Sequence, residues 1–139
     1  MGADFRDVDN DGYDDIWMTG FEGDTFPLFR NRGAAGDFTE ITGASGIAGI
    51  TRPMSGWSNG IFDLDNDGWK DLLVARGHVL DNIALMSLRK AEEPNTVLRN
   101  LGNGRFQDVS AGAGAAFQTA LAHRGVAFGD VDNLSLIHI

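Results

Sequence analysis

The sequence contains no cysteine and only three prolines, and it has no uninterrupted apolar run long enough to cross a bilayer. Without cysteine, the chain cannot form a disulfide-stapled fold or a thiolate zinc module. A membrane-spanning helix needs about 20 consecutive apolar residues, so we expect no membrane insertion. Residues 1–4 also lack the charged and apolar regions of a signal peptide, so we expect none at this end of the sequence.

Positive charge is scarce as well. Eleven lysines and arginines face 20 acidic side chains, which gives a net charge of −9 over 139 residues. A surface of this sign repels nucleic acid, so we expect no nucleic-acid partner. The hydrophobic content of 42% is too high for a disordered acidic tail. The composition therefore predicts a folded acidic domain.

What is present is an acidic loop that repeats. The sequence DVDNDGYDD starts at Asp7, and DLDNDGWKD starts 56 residues later at Asp63. A third copy starts at Asp130 as DVDN and then departs from the pattern. Removing the ten aspartates at loop positions 1, 3, 5 and 9 from the net charge of −9 leaves +1, so the acidity belongs to the loops. These ten residues are Asp7, Asp9, Asp11, Asp15, Asp63, Asp65, Asp67, Asp71, Asp130 and Asp132.

The spacing of these loops favours a cation site. Alternate carboxylates converge when the chain curls, and Gly12 or Gly68 at position 6 can supply the positive φ of the turn. Two carboxylates about 4 Å apart repel by roughly 4 kcal/mol at an effective dielectric of about 20. An all-oxygen donor set without histidine or cysteine favours calcium over magnesium and disfavours zinc. The predicted ligands are Asp7, Asp9, Asp11, Asp15, Asp63, Asp65, Asp67 and Asp71, with the backbone carbonyls of Tyr13 and Trp69 at position 7.

The loops differ from an EF-hand in their second half. Position 12 is Met18 or Val74, where an EF-hand has a bidentate glutamate, and each loop runs into a short apolar segment typical of a strand. We therefore predict that each loop joins two strands and that both bind calcium. A solvated hairpin turn is the alternative interpretation of Asp-Asn-Asp-Gly. The third loop has only Asp130 and Asp132, so we expect this incomplete metal loop not to bind.

Each repeat divides into four predicted strands separated by glycine, asparagine and aspartate. Four-stranded units in series are typical of propeller blades. The predicted fold is therefore all-β: a partial β-propeller with two four-stranded antiparallel blades, the first strand of a third, and one short helical insertion. The predicted strands cover residues 3–7, 15–20, 27–31 and 37–42 in the first repeat, 59–63, 71–76, 96–100 and 105–110 in the second, and 125–130 in the third.

The predicted organisation of the chain follows from the repeat. Asp81 to Glu93 contains helix formers stopped by Pro94, so the insertion should hold a short helix. Residues 134–139 resemble translated sequencing-adapter sequence, so we expect a non-native tail and exclude His138 from any site. The predicted segments are a blade at 1–43 with its calcium loop at 7–15, a linker at 44–58, a blade at 59–111 with its calcium loop at 63–71 and an insertion at 78–95, the start of a third blade at 112–133, and the tail at 134–139.

These motifs carry a family resemblance. The pattern F-x-D-x-D-x-D-G-x-x-D from Phe5, followed by an apolar strand and LFRN, resembles the FG-GAP/VCBS repeat of integrin-α-like β-propellers. The phrases PMSGWSNG from Pro53, GH from Gly77, VLRNLGNG from Val97 and AHRG from Ala122 are similar to bacterial proteins related to cartilage acidic protein, which carry an ASPIC/UnbV module. The resemblance implies calcium in both complete loops. It also implies about seven blades, so the remaining blades of the same full-length chain would be the partners of these two.

Nothing in the sequence points to a catalytic residue, so we predict a non-enzyme. The sequence has no Gly-x-Ser-x-Gly elbow, no His-Glu-x-x-His and no phosphate-binding glycine loop. His78 and His123 are interpreted as hydrogen-bonded structural residues. Arg30 and Arg99 recur at one strand position and should pair with a neighbouring carboxylate or carbonyl. Trp17 should be core, whereas Trp57 and Trp69, near loops, could instead stack on a glycan.

The resulting functional hypothesis is a calcium-binding propeller segment of an exported protein, either secreted, periplasmic or at the cell surface. It would serve as a binding or adhesion scaffold for a protein or glycan ligand, with calcium in a structural role. Extracellular calcium keeps weak sites of this kind filled. The alternative is the non-catalytic propeller portion of a larger secreted enzyme, such as one that degrades polysaccharides.

Overall fold

The chain forms two four-stranded antiparallel sheets, in which each strand pairs with the next one along the sequence. The computed structural model describes residues 1–33 and 36–129. The predicted all-β architecture is confirmed, and the two sheets in series are those of a partial propeller. The first sheet contains β1 (Ala3–Arg6), β2 (Asp15–Met18), β3 (Leu28–Asn31) and β4 (Phe38–Glu40), and the second contains β5 (Gly56–Phe62), β6 (Asp71–Arg76), β7 (Thr96–Asn100) and β8 (Phe106–Asp108).

The fourth strand of each sheet is shorter than predicted, for the same reason in both. At the end of the β3–β4 ladder, the hydroxyl of Thr42 accepts the Leu28 N–H at 2.9 Å. In the second sheet, the hydroxyl of Ser110 accepts the Val97 N–H at 3.0 Å. In each sheet a side-chain hydroxyl therefore accepts the N–H of the third strand that would otherwise bond to a backbone carbonyl of a longer fourth strand.

The hydrophobic core lies between the two sheets. Trp17 and Leu28 from the first sheet and Leu72 and Leu98 from the second are fully buried, which confirms Trp17 as a core residue. A five-residue helix, α1 (Ile47–Thr51), lies within the predicted linker and buries Ile47 in the same core. The remaining buried members of the core are Val8, Phe26, Met54, Ile61, Val74 and Phe106.

The short helix predicted in the insertion between β6 and β7 is present only as one turn. The structure has only a single 3₁₀ turn at Ile83–Leu85. Leu85, Met86 and Leu88 are 85%, 64% and 105% exposed, so this segment has no apolar face packed against the sheets. Since short helices depend on tertiary packing, helix-forming composition alone is insufficient here.

The strand predicted at 125–130 to open the third repeat does not form over residues 125–128. After β8 come a 3₁₀ turn at Ser110–Gly112 and a short helix, α2 (Ala115–Gln118), and residues 122–128 have no regular secondary structure. Asp130, Asp132 and the predicted tail at 134–139 lie outside the described residues.

Residues 121–128 nevertheless lie along the second sheet. Leu121 forms a backbone bridge with Glu93, and the His123 N–H donates to the Arg76 carbonyl at 3.0 Å. The Phe128 ring stacks on Phe62 with centroids 3.9 Å apart. Among the residues described, no helix combines the length and apolar character needed to cross a membrane.

Because the strands alternate in direction, the β1–β2 and β5–β6 loops lie at the same end of their sheets as the β3–β4 and β7–β8 turns. The insertion between β6 and β7 lies at the opposite end. This arrangement places the two acidic loops, and the arginines at the ends of β3 and β7, at one edge of the molecule.

Candidate metal centres

Each acidic loop is closed by the first carboxylate of its motif. Asp7 accepts the Asp11 and Gly12 N–H groups at 3.2 and 2.8 Å, and Asp63 accepts the corresponding pair in the second loop at 3.1 and 2.9 Å. Gly12 and Gly68 have φ of 93° and 90°, the left-handed conformation in which glycine is favoured. Asn10 and Asn66, which the motif did not single out, also have positive φ, at 60° and 59°.

The ninth-position carboxylates anchor the loops to the sheets. Asp15 is fully buried and accepts the Val8 N–H at 2.9 Å and the Asn31 N–H, from β3, at 2.8 Å. Asp71 is 2% exposed and accepts the corresponding N–H groups of Leu64 and Asn100 at 3.1 and 2.8 Å. Each loop is therefore held against the strand that follows it by a carboxylate with two backbone donors.

Carboxylates 1, 3 and 9 of each motif converge. In each group, one oxygen from every member lies within 4.8 Å of the others. The first group is Asp7, Asp9 and Asp15, and the second is Asp63, Asp65 and Asp71. Both groups could hold a metal ion, and they contain six of the predicted ligands.

The fifth-position carboxylates are directed elsewhere. One oxygen of Asp11 accepts the Tyr13 N–H at 3.0 Å, and one oxygen of Asp67 accepts the Trp69 N–H at 2.9 Å. These hydrogen bonds close a short turn within each loop. Coordination by Asp11, Asp67 and the carbonyls of Tyr13 and Trp69 remains a prediction.

A single arginine pairs with two carboxylates of each loop. Arg30 Nε lies 2.5 Å from Asp9 Oδ2, and Arg30 Nη2 lies 3.4 Å from Asp11 Oδ2. Arg99 makes the same two contacts with the second loop, at 2.8 Å to Asp65 and 2.9 Å to Asp67. The predicted pairing of both arginines with carboxylates is confirmed. The protein thus supplies part of the neutralising charge itself.

Burial makes ionisation of several loop carboxylates costly. Burial raises the pKa of Asp15 and of Asp71 even though each accepts two N–H groups. Burial also raises the pKa of Asp9; Arg30 opposes the shift, and the Asp11 and Asp7 charges add to it.

Two other loop carboxylates are shifted in the opposite direction. The pKa of Asp7 is lowered, because hydrogen bonds from Gly12 and Asp11 together with the charge of Lys70 outweigh its partial burial. The pKa of Asp67 is also lowered, first by the hydrogen bond from the Trp69 N–H and second by the hydrogen bond from Arg99.

The donor set fits a hard cation. Asp9 Oδ1 is buried and has no hydrogen-bond partner among the described residues, whereas Asp9 Oδ2 pairs with Arg30. A buried carboxylate oxygen without a donor is costly unless a cation or water occupies its lone pairs. Together with the neighbouring Asp7 and Asp15 oxygens, it forms an all-oxygen group of the kind that calcium and magnesium prefer.

The seventh-position aromatics cover glycines of the next turn. A Cβ on Gly33 would lie 2.7 Å from the Tyr13 ring, and a Cβ on Gly102 would lie 2.8 Å from the Trp69 ring. Both glycines have positive φ, of 77° and 69°. Each aromatic therefore packs its loop against the β3–β4 or β7–β8 turn, which explains a glycine that the sequence analysis did not use.

Trp57 and His78 lie in a second polar cluster, at the opposite end of the second sheet. The Trp57 indole N–H donates to the Gly77 carbonyl at 2.7 Å, and the Arg124 guanidinium lies 4.3 Å from the Trp57 ring centroid. Arg124 also donates to the His78 carbonyl at 3.1 Å. One face of the Trp57 ring is thus already covered by a cation, which leaves less of this ring for a glycan.

The two histidines make local contacts. His78 is 8% exposed, its Nδ1 accepts the Leu80 N–H at 3.0 Å, and its Nε2 lies 3.4 Å from Glu22 Oε2. His123 Nε2 lies 3.4 Å from the Thr119 carbonyl oxygen. These contacts agree with structural roles for both residues.

Four-stranded antiparallel sheets in series, each with an aspartate-rich loop between its first two strands, define a repeat protein of the propeller type. Residues 7–74, just under half of the chain, match the model of the FG-GAP-like repeat. The matched segment runs from the first acidic loop through β6 and includes the second acidic loop. The match supports the assignment of these repeats to the FG-GAP family. No curated protein matches the chain.

Proposed function

We propose that this chain is a calcium-stabilised segment of an FG-GAP/VCBS-type β-propeller in an exported or cell-surface protein, where it serves as a binding or adhesion scaffold. The observation that carries the proposal is the repetition of one carboxylate arrangement. Positions 1, 3 and 9 converge in both loops, with the same backbone donors and the same arginine contacts. A solvated hairpin turn does not require a buried ninth-position aspartate in each copy.

Calcium would have a structural role. Ionised carboxylates in these loops repel one another, and burial raises the pKa of three of them. A divalent cation relieves both costs, and the Asp11, Asp67, Tyr13 and Trp69 oxygens would complete its coordination. A site whose dissociation constant is one hundredth of the free calcium concentration would stabilise the folded chain by about 2.7 kcal/mol.

An extracellular location fits this role. FG-GAP repeats are usually extracellular and typically form non-catalytic scaffolds. Calcium sites of extracellular modules bind with dissociation constants of about 0.1 to 1 mM, so they stay filled only where calcium is abundant. We therefore propose a secreted, periplasmic or cell-surface protein in which the scaffold itself performs no chemistry.

The narrower kinship with ASPIC/UnbV proteins is also part of the proposal. The phrases that carry it come from distant parts of the sequence, yet Trp57, Gly77, His78 and Arg124 contact one another. A Cβ on Gly77 would lie 2.6 Å from Arg124 Nη1, so the glycine leaves room for the arginine. This packing brings together residues from three of the phrases on which the resemblance rests.

Further blades of the same full-length chain are the proposed partners of this pair. In the second sheet, Ile61, Leu72, Leu98 and Phe106 are buried against the first sheet. Their counterparts in the first sheet, taken in repeat register, form its outer face, where Phe5 is 58% and Phe38 is 40% exposed. These counterparts are Phe5, Ile16, Phe29 and Phe38. A preceding blade would cover this face as the first sheet covers the second.

Thermal unfolding with and without calcium tests the proposed function. At a hundredfold excess over the dissociation constant, each filled site should raise Tm by about 8 °C, since 1 kcal/mol corresponds to roughly 3 °C in a chain of this size. Asp65→Ala should remove most of the contribution of the second site. Asp81→Ala makes the same charge change in the insertion and should leave the calcium effect intact. An unchanged Tm between chelator and millimolar calcium would overturn the proposal.

A further inference from the structure

Two asparagine side chains join the acidic loop of the first sheet to the acidic loop of the second. The Asn100 side chain, at the end of β7, donates from Nδ2 to the Val8 carbonyl at 2.8 Å and to the Lys70 carbonyl at 3.0 Å. The Asn10 side chain donates from Nδ2 to the Gly68 carbonyl at 3.0 Å, and its Oδ1 lies 3.5 Å from Lys70 Nζ. Every one of these contacts except that between Asn100 and Lys70 crosses between the repeats.

The Asn100 contact belongs to an unbroken series of hydrogen bonds between the two buried carboxylates. The Val8 N–H donates to Asp15 at 2.9 Å, and the Val8 carbonyl accepts from the Asn100 side chain. The Asn100 N–H in turn donates to Asp71 at 2.8 Å. Val8 and Asn100 are 3% exposed, so water does not compete freely for these bonds.

The counterparts of Asn100 and Asn10 in the other repeat, Asn31 and Asn66, make no contact between the repeats within the described part of the chain. The Asn31 side chain donates only to the Asp14 carbonyl, at 3.1 Å, within its own repeat. Asn66 has the same positive φ as Asn10, yet no hydrogen bond of its side chain is found among the described residues. Two residues with the same local geometry therefore provide natural controls.

We infer that Asn100 and Asn10 couple the two loops, so that calcium in one loop raises the affinity of the other for calcium. This inference rests on the proposed function. Filling the second loop fixes Asp71 and the Gly68 backbone, and with them the positions of Asn100 and Asn10. Those side chains then hold Val8 and Asn10 in place, between the ligands of the first loop. The first loop therefore loses less conformational entropy when it binds calcium.

The coupling is reciprocal, because each ion must change the affinity of the other site by the same factor. Couplings between binding sites are typically between about fivefold and 150-fold. A path through a few hydrogen bonds belongs at the lower end of that range, since one net hydrogen bond corresponds to between about twofold and tenfold in an equilibrium constant. We expect a coupling factor of about fivefold.

The test titrates the ¹⁵N-labelled 139-residue chain with calcium chloride at 0.15 M NaCl and follows two backbone amides separately. The Gly12 amide reports the first loop, and the Gly68 amide reports the second. Asp65→Asn silences the second site while keeping its shape. The coupling factor is the ratio of the first-site dissociation constants with the second site silenced and intact.

Asn100→Ala should reduce the coupling factor to less than about twofold, and Asn10→Gly should lower it by a smaller amount. Glycine tolerates the positive φ of residue 10, so this exposed variant keeps the test valid if Asn100→Ala fails to fold. The controls Asn31→Ala and Asn66→Gly should leave the factor unchanged.

Two results would overturn the inference. A coupling factor of one in the unmodified chain would mean that the sites are independent. An equal loss of coupling in the Asn66→Gly control would assign the effect to loop flexibility and not to the bridge between repeats. An absence of any calcium-dependent shift at both glycine amides is a different result, because it would overturn the proposed function itself.

Discussion

One arginine in each repeat changes the charge balance that the loop sequences suggest. The four aspartates at positions 1, 3, 5 and 9 of each loop imply strong repulsion, yet Arg30 and Arg99 each contact two of them. These pairs are partly solvent-exposed, so their contribution to stability is small. Their effect is to hold one oxygen of the third-position carboxylate. In the first loop the other oxygen, Asp9 Oδ1, is left for a cation, whereas in the second loop Asp65 Oδ1 accepts the Asp67 N–H at 3.2 Å.

The raised pKa values of Asp15 and Asp71 predict a pH dependence with a definite sign. A carboxyl whose folded pKa lies above its unfolded value of 3.8 stabilises the fold below that value. This stabilisation is lost as the pH rises through the folded pKa. Calcium binds only the ionised form, so the increase in Tm that calcium produces should grow between pH 4 and pH 7.

Melting curves in calcium-free buffer and in millimolar calcium, recorded across this pH range, measure the difference. The double variant Asp9→Ala/Asp65→Ala should show little calcium effect at any pH. A calcium effect of equal size at pH 4 and pH 7 would contradict the assignment of buried carboxylates as ligands.

Residues that act within a short stretch of sequence could be predicted, and residues that act across the fold could not. The turn glycines Gly12 and Gly68 follow from a local motif. The packing of Trp69 against Gly102 joins residues 33 positions apart, and that of Asn100 against Val8 joins residues 92 positions apart. Nothing in the spacing of a single sequence specifies such contacts, because they depend on how the sheets pack.

At the level of the elements, strands were predictable because each is bounded by turn residues and repeats in order. β6 and β7 occupy the predicted ranges, whereas the helix expected in the insertion is reduced to one 3₁₀ turn. Propensity has little effect where an element lacks a surface against which to pack. α1 was missed because it is only five residues long and begins after Gly46 without a side-chain cap.

The repeat predicts unequal effects for one substitution made at equivalent positions of β3 and β7. Leu98 in β7 is fully buried between the sheets, whereas its counterpart Phe29 lies on the partly exposed outer face of the first sheet. Leu98→Ala should lower the free energy of unfolding by about 2 to 5 kcal/mol. Phe29→Ala should lower it by roughly 1 kcal/mol or less, although it removes the larger side chain.

Urea unfolding of the two variants at one calcium concentration measures both changes. Equal losses of stability would show that the outer face of the first sheet is as well packed as the inner one, against the exposure of Phe5 and Phe38.

At the scale of the whole molecule, the two faces of the first sheet have different surroundings. One face contacts the second sheet, and the other presents Phe5, from β1, and Phe38, from the edge strand β4, to solvent. Exposed apolar surface next to an open strand edge promotes association. The 139-residue chain should therefore self-associate at micromolar concentrations.

Sedimentation velocity of the double variant Phe5→Ser/Phe38→Ser should show a smaller weight-average sedimentation coefficient than that of the unmodified chain. The control Leu85→Ser/Leu88→Ser removes two more exposed apolar side chains from the insertion. It should change the association less. An equal reduction by the control would mean that the insertion, and not the sheet face, makes the contact.

The cross-repeat contact of Asn100 has an evolutionary consequence. Each repeat has the same asparagine at the end of its third strand, and the one at position 100 reaches back to the loop of the repeat before it. A duplicated repeat would therefore bring with it the group needed to join its predecessor. The insertion between β6 and β7 lies at the opposite end, where its length can change without altering that joint. A gene built from such units can gain or lose whole repeats and still place this asparagine at each junction.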